Sequence, residues 1–256
     1  MTGGILMKLE NVIVERPYKK VYRCEEGIAK VFEPSHPKAD VFNEALNQAR
    51  VEATGLDIPK VISVSEIDGK WALVVEYKEG KTLEDLMNEH PENMETYMDE
   101  FVNLQIQVQE KTSPLLNQLK DKLARQINGL KDVIDATTRY ELLTRLDSMP
   151  THHKVCHGDF NPSNVIVSDD GKIYIVDWAH VTQGNASADA AMTYLMFALK
   201  DKALADTYLD IFCKKSDTAK QYVQQWLPII AASALTRKDA MGKDFLMQWI
   251  DIIDYQ

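Results

Sequence analysis

At 256 residues the chain is long enough to bury a sizeable core, at the upper end of one domain or the lower end of two lobes. Its 45% apolar content excludes a disordered or fibrous class, and a net charge of −10 excludes nucleic acid as a natural partner, because phosphate binding needs clustered Lys and Arg. Cys24, Cys156 and Cys213, odd in number and far apart, speak against a disulfide framework, and no run of about eighteen apolar residues suits a membrane span, so the chain reads as cytoplasmic with no membrane partner.

The first eighty residues read as short strands around one helix. LENVIVE (9–15), VYRCEE (21–26) and IAKVF (28–32) are rich in β-branched and aromatic residues, separated by RPYKK (16–20) and by a tight turn at Gly27. A helix is expected from about Asp40, with Val41, Ala45, Leu46, Ala49 and Ala53 as its apolar face and Gly55 as its stop. VISVSEI (61–67) and WALVVEY (71–77) follow, joined by Asp68-Gly69, a strong hairpin signal. The pattern is a five-stranded antiparallel sheet with one helix after the third strand.

From Thr82 the periodicity becomes helical. TLED resembles a capping box, with Leu83, Leu86 and Met87 on one face. Met94, Tyr97, Phe101, Leu104 and Val108 mark a long amphipathic helix over 92–111 that stops at Ser113-Pro114. Further helices are expected over about 115–135 and 138–148. The chain turns briefly to strand in VIV (165–167) and KIYIV (172–176), joined by SDDG, and is helical after Ala186, with Pro228 a break or a helix start. The expected division is therefore a β-rich part, 1–80, and a mainly helical part, 81–256.

The polar residues that this pattern does not need are concentrated in CHGDFNPSNVIV (156–167) and its sequel. Taken alone, that stretch admits a metal cluster, a hydrolase fragment or a loop holding a hydroxyl beside a phosphate. His152, His153, Cys156 and His157 are the candidates for a transition-metal site, which the position of Cys156 at the end of an apolar strand disfavours. Asn164 enters the hairpin and Asp177 leaves it, so their side chains can meet at one end, five residues after the carboxylate of Asp159. Two protein oxygens beside a free carboxylate suit Mg²⁺, which fills its remaining shell with water and phosphate oxygens.

His157-Gly158-Asp159-Phe160-Asn161-Pro162-Ser163-Asn164 followed by Ile175-Val176-Asp177-Trp178 fits the kinase pattern H-x-D-x-x-x-x-N plus an Asp after a strand. The HGD and IVDW forms resemble the aminoglycoside phosphotransferase and choline kinase branch of the protein-kinase-like fold. VEYKEGKTLEDL (75–86) resembles that family's hinge, and GLDIPKVI (55–62) its connection from the helix to the fourth strand. The resemblance implies an α+β, two-lobed architecture, with a nucleotide-binding lobe over 1–80 and a helical lobe over 81–256 that carries the catalytic loop and substrate site. It implies ATP as donor, with GTP the alternative, and Mg²⁺ as the metal. Asp159 would be the catalytic residue; Asn164 and Asp177 would hold the metal. Lys30 would reach the phosphates, steadied by Glu44, for which Glu52 is the competing choice. Tyr18 and Lys19, in a glycine-free loop, would cradle phosphate through backbone N–H groups, or else form a plain charged turn. Glu76 and Tyr77 would belong to the nucleotide hinge. His157 would support the loop by side-chain hydrogen bonds, and Asp189 would brace it from the next helix or cap that helix.

The implied activity is transfer of the γ-phosphate to a hydroxyl of a small molecule. An aminoglycoside or similar amino sugar leads, choline or ethanolamine is second, and a non-catalytic nucleotide-binding pseudokinase is the rival from another class. The acidic balance and residues such as Asp251 and Asp254 suit a cationic acceptor. Trp226, Trp249 and Tyr255 could wall a quaternary amine, but at helical spacing they read better as core. Asn161 and Ala179 depart from the family pattern, where His and Gly or Glu are common, and both departures bear on substrate identity.

Overall fold

The computed structural model describes residues 9–237 and 242–250. They form two compact units, one running to Asp85 and taking in Ser163–His180, the other made of Leu86–Pro162 and the residues from Val181 onward. The pattern had suggested one boundary near 80–81. The hairpin after the HGD loop instead joins the first unit, because its strands and its backbone bonds are made there.

In the first unit β1 (Leu9–Arg16), β2 (Lys19–Cys24), β3 (Gly27–Phe32), α1 (Lys38–Glu52), β4 (Val61–Ile67) and β5 (Lys70–Val75) follow in sequence. The five strands form one antiparallel sheet in the order β1-β2-β3-β5-β4. β3 and β5 are nearly continuously apolar because both faces of the sheet are covered. One face packs Cys24, Ala29, Val31, Ala72 and Val74, and the other packs Phe32, Leu73 and Val75 against Val41 and Ala45 of α1. At the β4–β5 turn Asp68 and Gly69 adopt φ of 49° and 75°, the left-handed pair that matches hairpin twist. β1 is a mostly exposed edge whose register with β2 is irregular, a feature that discourages further pairing. β1 and β2 leave only Pro17 and Tyr18 between them, so Lys19 begins a strand and is buried.

The buried face of α1 differs from the apolar stripe expected. Leu46, Ala49 and Ala53 are exposed, and Glu44, Asn47 and Gln48 are buried with Val41, Ala45 and Val51. Each of the three buried polar side chains makes at least one bond that offsets the cost of burying it, although Asn47 Oδ1 accepts none among the described residues. Gln48 Nε2 donates to the Pro59 carbonyl at 2.6 Å, Asn47 Nδ2 to the Ala179 carbonyl at 3.4 Å, and Glu44 meets Lys30.

Beyond β6 (Lys81–Thr82) the capping box forms as expected at the start of α2 (Leu83–Glu89). The Asp85 N–H donates to Thr82 Oγ1 at 3.0 Å and the Thr82 N–H donates back to Asp85 at 3.3 Å. β6 pairs with β8 (Val165–Val167), and β8 with β9 (Ile173–Ile175), all antiparallel. Gly80 has φ 148°, and a Cβ there would collide with the Val167 carbonyl, so glycine lets the chain pass the hairpin.

The second unit holds α3 (Met94–Gln109), α4 (Leu119–Asn128), α5 (Ala136–Ser148), the β7 (Lys154–Cys156) and β10 (Thr182–Gly184) pair, and α6 (Ala186–Lys200), α7 (Lys202–Ser216), α8 (Lys220–Gln224), α9 (Leu227–Ala234) and α10 (Lys243–Ile250). The helix expected over 115–135 shortens to α4. Gly129 follows its last turn, and Asp135 leaves the helix to accept the N–H groups of Thr137 and Thr138 at 2.8 and 3.0 Å, capping α5. Pro228 lies in the first turn of α9, where its missing N–H costs nothing. Phe101, Phe160, Phe197, Tyr208 and Phe212 form an aromatic core. Trp226 and Trp249 are buried, as the core reading expects, while Tyr255, Asp251 and Asp254 lie outside the described residues. No helix among the described residues is long and apolar enough to cross a membrane.

Candidate active site

In the first unit the charged residues singled out from sequence meet at one place. Lys30, on central β3, donates from Nζ to Glu44 Oε1 at 2.6 Å and to Asp177 Oδ1 at 3.0 Å. Lys19 adds a second cation 3.5 Å from Asp177 Oδ2. Burial would push Lys30 down, but the carboxylates of Asp177 and Glu44 outweigh it and hold the ammonium above the ordinary lysine range. Burial likewise opposes ionisation of Asp177, yet Lys30 and then Lys19 hold its carboxyl well below the usual carboxylate range. Asp177 still keeps 31% of its side chain open, so a charged group with solvent access remains. Its φ of 63° is left-handed, uncommon for a residue with a side chain, and the chain reverses there into the turn Trp178–His180. Asn47 of α1 fastens that turn through the Ala179 carbonyl.

Asn164 closes a short 3-10 turn at the start of β8, and its carbonyl accepts the Val176 N–H at 2.9 Å. Hairpin register thus places Asn164 and Asp177 at the same end. Glu52 is not the partner of Lys30, since its carboxylate caps β4 by accepting the Val61 N–H at 2.7 Å. The three remaining nucleotide candidates take other partners. The Tyr18 ring stacks on His36 with centroids 5.6 Å apart. Glu76 pairs with Lys78 at 2.8 Å and accepts the Lys60 N–H, contacts that lower its carboxyl. Arg23 lies 3.7 Å above the exposed ring of Tyr77.

In the second unit the HGD loop is held from three helices. Gly158 has φ 78°, which glycine alone adopts without strain, and its N–H donates to Asp189 Oδ1 at 2.7 Å. The other oxygen of Asp189 accepts from Gln105 and Gln109 of α3 at 3.3 and 3.2 Å. Thr193, one turn along α6, donates to the Phe160 carbonyl at 2.8 Å, and Tyr208 of α7 donates to Gln105. The N-cap of α6 is Asn185, so Asp189 serves the loop and not the helix end. His157 is fully buried and its Nδ1 accepts the Asp159 N–H at 3.2 Å. Asp159 keeps 26% of its side chain open, and Asn161 Nδ2 donates to its carbonyl at 3.0 Å.

Two cations beside Asp159 carry no signal in the sequence. Arg237 Nη1 donates to Asp159 Oδ1 at 2.8 Å, and Nη2 donates to the Gly158 carbonyl. Lys122 of α4 is the second. Burial, reinforced by Arg237, pushes its ammonium down to about 7, against the opposing pull of Asp159 and Asp189. Arg237 follows a helix that is apolar but for Ser233, and Lys122 sits among the alternating charges of an ordinary amphipathic one, so spacing could not single them out. The residues weighed as a transition-metal site have other roles: His153 meets Gln183 at 3.1 Å, and burial holds the Cys156 thiol well above its ordinary range. Among the described residues no three or more of His, Cys, Asp and Glu converge as a metal cluster.

The model of the phosphotransferase enzyme family matches residues 19–222, a span that contains Lys30, Glu44, Asp159, Asn164, Asp177 and Asp189. The chain belongs to that family. No curated protein matches it in sequence. Among solved structures, aminoglycoside phosphotransferase APH(4)-Ia is similar with a TM-score of 0.67 at 16% identity, covering 95% of this chain and 91% of that one. Choline kinase LicA from Streptococcus pneumoniae is similar with a TM-score of 0.66 at 14% identity, covering 96% and 93%. Aminoglycoside phosphotransferase APH(3'')-Id from Streptomyces rimosus is similar with a TM-score of 0.63 at 16% identity, covering 90% and 93%. The phosphotransferase therefore has the α+β, kinase-like fold that its HGD and IVDW motifs implied.

Proposed function

We propose that this phosphotransferase moves the γ-phosphate of ATP to a hydroxyl of a small molecule, with Mg²⁺. The observation that carries the reading is the buried cluster of Lys30, Glu44 and Asp177, which keeps one lysine charged and one carboxylate ionised on rigid elements. Such a lysine is what a polyphosphate needs, since phosphoryl transfer asks the protein for positioning and charge neutralisation more than for covalent chemistry. Solved complexes of APH(4)-Ia contain ADP or AMP-PNP with hygromycin B, which favours ATP over GTP as the donor.

The residues present fit magnesium. The donor set is hard oxygen, Asp177 is ionised, and the hairpin brings Asn164 to the same end. When bound, Mg²⁺ would neutralise phosphate oxygens, and Asn164 and Asp177 are the residues that would hold it. Lys30, turned from Asp177 toward the nucleotide, would draw charge from the α- and β-phosphates, with Glu44 fixing its direction. Asp159 would orient the acceptor hydroxyl. As the acceptor oxygen bonds to the γ-phosphorus, the bridging bond to the β-phosphate breaks, its electron pair leaves with ADP, and the hydroxyl proton passes to Asp159. His157, Asp189 and Thr193 hold the loop.

Asp159→Asn is expected to abolish ADP release with any hydroxyl acceptor while keeping affinity for Mg·AMP-PNP within twofold. Near-full turnover in that variant would rule out Asp159 as the base. The expected acceptors, aminoglycosides and choline, are cationic, and the side chains around Asp159 bear directly on that expectation.

A further inference from the structure

Arg237 grips the HGD loop at the side chain assigned to the reaction and leaves the shape of the loop to other residues. Its Nη1 donates to Asp159 Oδ1 at 2.8 Å and its Nη2 to the Gly158 carbonyl. The neighbouring backbone groups are met from elsewhere. The Gly158 N–H goes to Asp189, the Asp159 N–H to His157 Nδ1, the Asp159 carbonyl to Asn161 and the Phe160 carbonyl to Thr193. The loop can therefore keep its form without Arg237, but the carboxylate cannot keep its present partner. Asn161 Nδ2 stands 3.5 Å from Oδ2, so each oxygen of Asp159 faces a protein donor.

The arginine is anchored by its backbone. Its N–H donates to the Ala234 carbonyl at 3.1 Å in the turn that ends α9, and Gln126 of α4 holds Ser233 at 2.7 Å and Thr236 at 2.9 Å. From that fixed point the guanidinium can leave Asp159 by rotation about its own side-chain bonds, with the main chain in place. The two side chains are 16% and 26% exposed, so water can take up the bonds that each gives up.

A carboxylate that orients an acceptor hydroxyl would orient water as readily. Transfer to water joins the water oxygen to the γ-phosphorus and breaks the bridging bond to the β-phosphate. The electron pair of that bond leaves with ADP, and the water proton passes to Asp159. Uncovering Oδ1 breaks a charge-assisted hydrogen bond, and a water molecule brings no charge in exchange. An acceptor amine can trade its ammonium for the guanidinium.

We propose that Arg237 is a latch on Asp159, covering the base until an acceptor displaces it and so holding down the transfer of phosphate to water. This rests on the reading of Asp159 as the catalytic base, and the tests keep the two apart.

ADP release from Mg·ATP is followed in a coupled assay without acceptor, and across concentrations of kanamycin A, ethanolamine and choline. Arg237→Gln is expected to raise acceptor-free ADP release about ten- to a hundredfold, the change in equilibrium that one charge-assisted hydrogen bond sets. It should also lower the KM of whichever acceptor is used, because no latch has to be displaced. Arg237→Lys keeps the charge and loses the fork; it should fall between, and it answers the question if Arg237→Gln does not fold. In the Arg237→Gln/Asp159→Asn double variant the gain should vanish. A residue that only positions the loop gives the opposite pattern, a lower kcat with acceptor and no rise without one. That result overturns the latch and leaves Asp159 as the base. A gain that persists in the double variant sinks Asp159 as the base and the latch with it. A gain that vanishes there while no acceptor in the panel is used supports the latch and refutes only the expected acceptors.

Discussion

Replacing Glu44 with Gln removes one carboxylate from the Lys30 cluster while keeping its shape. The side chains of Lys30 and Glu44 are 10% and 7% exposed, so the lysine cannot recover the lost partner from bulk water. Removing one member of a buried ion pair costs about 3–5 kcal/mol, because the other charge is left uncompensated. Here Asp177 remains 3.0 Å from Nζ, and a hydrogen bond to a charged group is worth about 1.5–3 kcal/mol. The net loss should therefore be about 2 kcal/mol, read at pH 7 as a lower urea midpoint with unchanged slope.

The same reasoning fixes the outcome of a double-mutant cycle. In Lys30→Met the carboxylates of Glu44 and Asp177 lose the cation they share. In the Lys30→Met/Glu44→Gln double variant neither an orphaned lysine nor two facing carboxylates remain, and Lys19 still serves Asp177 at 3.5 Å. The double variant should lose less stability than the sum of the single losses, by about 2 kcal/mol. Additivity within about 0.5 kcal/mol would mean that the cluster is no energetic unit and that Lys30 is not held charged by Glu44.

Asp177→Ala should remove the magnesium-dependent part of nucleotide binding, seen as equal AMP-PNP affinities with and without the metal; a surviving difference would place the metal elsewhere. Lys122→Met should change how stability depends on pH. The folded protein releases the Lys122 proton near pH 7, and the unfolded chain near 10.5. Between those values the unfolded state binds the extra proton, so stability rises with pH, by up to about 1 kcal/mol per unit given partial exposure of the side chain. The methionine variant should lose that slope and be the more stable at pH 7, and an unaltered pH profile would count against a low-pKa lysine. Thr193→Val, nearly isosteric, strands the buried Phe160 carbonyl and should cost about 1–3 kcal/mol with a drop in turnover. Full activity at full stability would show that the α6 bond does not position the loop.

What could be read from the sequence divides by the range of the interaction. The β4–β5 turn, the Thr82–Asp85 box and the Asn164–Asp177 hairpin end were legible because each is decided by one local turn and the residues on either side of it. Lys30 and Asp177 are 147 positions apart, and only the resemblance of the motifs suggested that they belong together. The misread face of α1 has the same origin. Leu46, Ala49 and Ala53 form a plausible apolar stripe, but the helix turns Glu44, Asn47 and Gln48 inward because each has a distant partner that periodicity cannot register. The shorter α4 reflects two local competitors, Gly129 after its last turn and Asp135 as the cap of α5.

That division explains why transfer chemistry was more legible than acceptor choice. The donor half uses a strand lysine, a hairpin and a short loop, whose order along the chain is itself a pattern. On the side of Asp159, Arg237 comes from 78 residues away and is placed by the meeting of α4 and α9, so no motif announces it. Net charge pointed toward a cationic acceptor, but −10 summed over a whole surface says nothing about the charges beside one carboxylate. A field at a reacting group is set within a few ångströms, where the Arg237 guanidinium lies 2.8 Å from the Asp159 carboxylate. The local count, not the global one, is the physical ground for choosing an acceptor.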